Sequence, residues 1–256
     1  MLKLPLLAVA LLSSLACAAP VATAPSTRPA PAAAATTQAS AYTYGPRSPD
    51  GIGKYYMGRE IAHFMSHLGA PWLDRPERDA EENTTALVDA IELRPSDVVA
   101  DIGAGTGYYS FRLAPKVPQG KVLAIDIQQE MLDLLTAAAK RRGVANVQPI
   151  LGTTSDPKLP KEAVDVVLMV DAYHEFDQPA EMMDAIVRAL KPGGRVVLVE
   201  FRAEDPAVHI KRLHKMSAAQ AVKEMVAAGL KHVETKDVLP QQHLMIFEKP
   251  SRQSVP

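Results

Sequence analysis

Cysteine is nearly absent from this chain: Cys17 is the single one in 256 residues. That excludes an intrachain disulfide and any cysteine-built metal centre. An excess of one charge is lacking as well. There are 28 basic and 29 acidic residues, a formal net charge of −1, and no long like-charge block. Bulk electrostatics therefore give no reason to expect a nucleic-acid partner. Long apolar runs are missing too. The stretch from Leu4 to Ala16 falls short of the roughly twenty residues that a membrane-spanning helix needs. No H-E-x-x-H motif accompanies the seven histidines, so the sequence leads us to expect no metal.

At 47% hydrophobic and 22% charged, the composition suits one core of moderate size with extensions. Residues 1–18 combine Lys3, an apolar stretch and small residues around Cys17, the layout of a secretory signal peptide. Ser14-Leu15-Ala16-Cys17 also resembles a bacterial lipobox, which gives Cys17 a second reading as a lipid anchor. Either reading predicts export, to the periplasm or to a membrane surface. Residues 19–50 are rich in Ala, Pro, Thr and Ser, and cannot bury enough apolar surface to offset their ordering entropy. They are expected to form a disordered linker. Residues 51–95 are expected to be a helical cap. One helix starts near Gly58, with a stripe at Ile61, Phe64, Met65 and Leu68, and a second runs from about Glu77 to Leu93. A domain over residues 96–250 and a tail over 251–256 complete the division.

The centre of the chain is the stretch from Val98 to Ser110. An apolar β-favouring run, Val98 to Ile102, leads into Gly103, Gly105 and Gly107 and then into a helical pattern. This reads as buried strand, tight turn and helix start, a backbone that a ligand can approach closely. A dinucleotide fingerprint requires G-x-G-x-x-G, whereas here the spacing is G-x-G-x-G with Asp101 two residues ahead. A carboxylate at that position suits a cationic or amine-bearing ligand. A second strand, Lys121 to Asp126, ends in an acid about twenty residues after the turn, where nucleoside-binding doubly wound folds bind a ribose. Ile127 beside it is placed to line a base. Val164 to Val170 reads as a central strand covered on both faces, delivering Asp171-Ala172-Tyr173-His174-Glu175-Phe176 to the ligand-binding edge of the sheet.

Asp101-Ile102-Gly103-Ala104-Gly105-Thr106-Gly107 resembles motif I of the class I S-adenosylmethionine-dependent methyltransferases. The stretch from Ala189 through Lys191-Pro192-Gly193-Gly194 to Glu200 is similar to strand five of the ubiquinone-biosynthesis type. The resemblance implies an α/β fold: a doubly wound, seven-stranded, mostly parallel sheet with an antiparallel last strand and N-terminal helices. It implies S-adenosylmethionine as cofactor, held by Asp101, Gly103, Ala104, Gly105, Gly107, Asp126, Ile127, Asp156 and Asp171. It implies a small-molecule or lipid-like methyl acceptor beside Asp171, Tyr173 and His174, the candidate catalytic residues. Tyr55, Tyr56 and Arg59 are candidates for a substrate lid, and Gln242 and His243 on the final hairpin could face the acceptor. Two rivals stand at this point: a non-catalytic exported nucleoside-binding protein and a nicotinamide-dependent oxidoreductase.

Overall fold

The apolar runs become the strands of one sheet, because each alternates its side chains between two separate cores. A computed structural model describes residues 41–251. The signal-like segment, Cys17, most of the linker and most of the tail lie outside the described residues. Seven strands, β4 (Val98–Ile102), β5 (Lys121–Asp126), β6 (Val147–Leu151), β7 (Val164–Val170), β8 (Leu190–Phe201), β9 (Lys231–Lys236) and β10 (Gln242–Glu248), lie in the order β6-β5-β4-β7-β8-β10-β9. β4 pairs in parallel with β5 and β7, and β8 in parallel with β7. β10 is antiparallel to both β8 and β9. The expected doubly wound sheet with a reversed last strand is therefore present. Val99, Val122, Leu168 and Val197 pack on one face, and Ala100, Leu123, Val167 and Leu198 on the other. Covering both faces leaves no polar side, which accounts for near-continuous apolar strands. Chain order reverses between β4 and β7, so a crevice opens beyond their C-terminal ends.

Helices flank the sheet. They are α4 (Ser110–Leu113), α5 (Gln129–Arg142), α6 (Pro179–Ala189) and α7 (Ala218–Ala227). α5 stops at Gly143, whose φ of 66° lets its N–H reach back to the carbonyls of Ala139 and Lys140. Leu134, one of the apolar positions of α5, is 45% exposed. No described helix is long and apolar enough to cross a membrane.

The N-terminal region corrects the sequence-based expectation. The stretch after Gly58 is a strand, not a helix. A three-stranded antiparallel sheet is formed by β1 (Tyr42–Tyr44), β2 (Gly51–Tyr56) and β3 (Arg59–Ala62). Met57 and Gly58 have φ values of 50° and 96°, and Tyr56 pairs with Arg59 across them. Two consecutive positive φ angles are what a two-residue hairpin requires, and the β-favouring Tyr55 and Tyr56 feed it. Glu60 fixes the hairpin by accepting from the backbone N–H groups of Ser48 and Gly53. β1 lies inside the segment expected to be a disordered linker and pairs with β2, so order begins earlier than residue 51. Beyond the sheet come α1 (Ala70–Leu73), α2 (Arg78–Glu82) and α3 (Thr84–Ala90). The single helix expected over 77–93 breaks at Asn83, which takes a left-handed conformation and caps α3 through Ala86 N–H.

Candidate functional site

The glycine turn is built at the tips of β4 and β5. Gly103, Gly105 and Gly107 all have positive φ, at 76°, 54° and 88°. A Cβ on Gly103 would stand 2.8 Å from Ala172 Cβ, and one on Gly105 would stand 2.7 Å from Leu73 Cδ1. The backbone is therefore exposed to the crevice only because those side chains are missing. Gly103 and Ala104 N–H groups both donate to the Ile125 carbonyl at 2.9 Å. Gly105 N–H donates to Asp126 Oδ2, and Gln128 N–H to Asp126 Oδ1, each at 2.9 Å. Asp126 thus shapes the turn while keeping lone pairs for a ligand.

Three carboxyl groups gather beneath the turn. Asp101 is buried and accepts from Ser110 Oγ at 2.6 Å. Burial pushes its carboxyl up to about 6, against the opposing pull of Ser110 and Arg78. Burial also raises Asp126, although the backbone N–H groups at Gln128 and Gly105 counter it. Asp171 sits at a φ of 48°, a strained conformation for a residue other than glycine. Burial, then the charges of Glu82 and Glu200, hold its carboxyl well above the ordinary range. Its Oδ2 accepts from Gln242 Nε2 at 3.2 Å, while Oδ1 is enclosed without a hydrogen-bond partner.

His174 lies on the short 3₁₀ turn Tyr173–Glu175 after β7 and is 1% exposed. Glu200, at the end of β8, accepts from its backbone N–H at 3.2 Å and from Nδ1 at 2.6 Å. Burial works against the imidazolium, but Glu200 outweighs it and the His174 pKa is raised. The ring's other nitrogen, Nε2, lies 3.0 Å from His214 Nδ1. One cavity of about 860 Å³ joins the glycine turn and Asp126 to His174 and His214. That volume is near the upper end of the roughly 300–1,000 Å³ usual for small-molecule sites.

Residues 99–194 match the family model described as a methyltransferase domain. Over this segment the chain is therefore similar to methyltransferase domains. An uncharacterized methyltransferase of Mycobacterium bovis is 41% identical over 137 residues, covering 53% of this chain and 51% of that protein. The uncharacterized methyltransferase YcgJ of Bacillus subtilis is 30% identical over 142 residues, covering 53% and 55%. The chain thus spans about half the length of the curated relatives it matches. A solved structure of a SAM dependent methyltransferase from Aquifex aeolicus superposes with a TM-score of 0.69 at 22% identity, covering 73% of this chain and all of that one. This last likeness speaks to the fold.

Within the matched segment, Asp101, Gly103, Ala104, Gly105, Asp126, Ile127, Asp171 and His174 all line the cavity. Gly107 does not; a Cβ there would meet Phe111 and Leu135, so it serves the packing of the turn. Asp156 is a correction. It pairs with Lys158 through backbone and ammonium and stands off the cavity wall, where Thr154 is found instead. Tyr173 is another, because its ring is fully buried against Phe176 in the core below the site. Gln242 meets the site from below through Asp171, while His243 turns to Glu204 at 2.9 Å. Of the lid candidates, Arg59 is a buried support: its guanidinium pairs with Glu224 and donates to the His174 carbonyl at 3.1 Å.

Four contributors escaped the sequence reading: Arg78, Gln128, Glu200 and His214. Arg78 lines the cavity from α2, bound to Glu82 at 3.0 Å and lying 4.2 Å over the Tyr108 ring. Gln128 spans to the N-terminal segment, accepting from His67 N–H and donating to the Met65 carbonyl. The one available signal was Glu200, an acid ending an otherwise apolar strand, as Asp126 does. His63 and His67 are four residues apart, a spacing that brings imidazoles together on a helix. Here the chain between them is not helical, and it is His174 and His214, forty residues apart, that meet.

Proposed function

We propose that this chain transfers the methyl group of S-adenosylmethionine to a small-molecule acceptor. The observation that carries the proposal is the single cavity running from the glycine turn and Asp126 to His174 and His214. The residues present suit the cofactor. Asp126 has lone pairs for the ribose hydroxyls, and Ile127, 37% exposed, offers an apolar face to the adenine. The glycine turn lets the aminocarboxypropyl chain lie close to the backbone. The enclosed, unpartnered Asp171 Oδ1 and the Asp101 carboxyl suit its ammonium, and the Arg78 guanidinium suits its carboxylate. When bound, the cofactor supplies an electrophilic sulfonium methyl.

Transfer is an in-line displacement, so holding the acceptor in line is most of what the protein must do. Phe64, Trp72, Phe176 and Ile210 give the far part of the cavity an apolar wall, which supports an acceptor with a hydrophobic body. At the acceptor end, Glu200 engages His174 Nδ1, leaving Nε2 to face His214. Calorimetric titration of the purified chain with S-adenosylmethionine and with NAD tests the reading. Saturable heat with the first and none with the second is expected; the reverse would remove the proposal.

A further inference from the structure

We infer that His174, Glu175 and His214 form a binding site for one divalent transition-metal ion, zinc or a neighbour in the first row. Their ligand atoms converge from two separate parts of the chain. His174 Nε2 is 3.0 Å from His214 Nδ1 and 3.8 Å from Glu175 Oε1, and His214 Nδ1 is 3.3 Å from Glu175 Oε1. With metal–ligand bonds of about 2.0–2.2 Å, atoms sharing a tetrahedral ion stand about 3.3 Å apart. The triangle brackets that value without any backbone movement.

The surroundings fit as well as the spacing does. A metal-bound imidazole is usually held by a carboxylate on its other nitrogen, which fixes the tautomer and raises its basicity. Glu200 does this for His174, with Nδ1 donating to Oε2 at 2.6 Å. The His174 ring is also held by its own backbone, since Glu200 Oε1 accepts its N–H and Arg59 binds its carbonyl. Glu175 is steadied by its second oxygen, which accepts from Met65 N–H at 3.2 Å. Leu213, buried at 7% exposure, anchors the turn that carries His214. Two histidines and one glutamate leave a fourth position open, as in metal sites that bind a substrate. All three residues line the cavity, so that position faces the acceptor end.

The role of the ion rests on the methyl-transfer reading. It would select acceptors with a hydroxyl or enol oxygen. Coordination lowers the pKa of such a group, and its proton leaves to solvent. The oxygen then forms the new C–O bond as the methyl–sulfur bond breaks, with that electron pair staying on sulfur.

The test uses the full, untagged chain after chelator treatment, titrated with zinc chloride alone and assayed by elemental analysis. One ion per chain is expected, with affinity reduced at least tenfold in both His214→Ala and Glu175→Gln. Circular dichroism confirms that these variants fold. His209→Ala removes a cavity histidine outside the cluster and should bind as the parent does. No stoichiometric zinc, undiminished binding in His214→Ala, or equal loss in His209→Ala would overturn the site. S-adenosylmethionine titrated into the same samples keeps the two proposals separate: zinc bound without cofactor supports the metal site and counts against methyl transfer.

Discussion

Arg59 meets Glu224 through two parallel bonds of 2.9 Å, and its remaining Nη1 donates to the His174 carbonyl. One guanidinium on the small N-terminal sheet thus ties α7 to the turn that carries the site. Glu224 is fully buried, so removing its partner strands a charge, although the Gln220 amide at 2.7 Å still donates to it. Arg59→Ala should lower stability by about 3 kcal/mol, the lower end expected for breaking a buried pair. Urea unfolding, read as a shift in midpoint at unchanged slope, checks this.

Asp126→Ala should weaken S-adenosylmethionine binding by about ten- to a hundredfold, the worth of one to two charge-assisted hydrogen bonds. The Gly105 N–H loses its acceptor too, so the turn loosens while β5 stays in place. Calorimetry beside far-ultraviolet circular dichroism separates the effects. Unchanged affinity would detach the ribose from this residue.

Asp101 gives a pH dependence of defined sign. Its carboxyl is raised from 3.8 to about 6 in the folded chain, so the native state holds the proton more tightly than the unfolded one. Its contribution is intact below about pH 4 and is lost as pH rises to 6, a fall of about 3 kcal/mol in all. Asp126 and Asp171 act in the same direction, both being raised. Asp101→Asn should therefore reduce, without abolishing, the decline in stability from pH 4 to pH 6. Chemical denaturation at several pH values measures it, and an unaltered slope would contradict the assignment.

Gln128→Ala should free the segment around Met65 and His67. Two hydrogen bonds are lost, each worth about 1 kcal/mol. Faster amide hydrogen exchange at His67, with β4 and β5 unchanged, is the expected result.

The sheet was legible because its information is local. Val98 to Ile102, Lys121 to Asp126 and Val164 to Val170 each carry strand length, apolarity and a functional tip in one contiguous run. The turn residues were legible for the same reason, since three alternate glycines constrain the backbone whatever packs nearby. The hairpin at Met57 and Gly58 was missed because the apolar spacing from Ile61 to Leu68 fits a helix. The competing signal was one glycine beside a methionine in a left-handed conformation. Tyr173 misled by position: it follows a functional tip, but its ring turns into the core. Glu200 and His214 reach His174 across 26 and 40 residues, and no periodicity records such a meeting.

The two walls of the cavity are held very differently. On the sheet side, the glycine turn is fastened to Ile125 and Asp126 before any ligand arrives, so its ordering entropy is charged to folding and not to binding. On the other side, the segment from Met65 to Asp74 crosses over by four side-chain bonds: two from Gln128, one from Glu175 and one between Thr106 and Asp74. Any widening that lets a bulky molecule in or out falls on that second wall. Under the proposed methyl transfer, the cofactor's seat would keep one shape from one turnover to the next, and the pace of exchange would be set on the far side of the cleft.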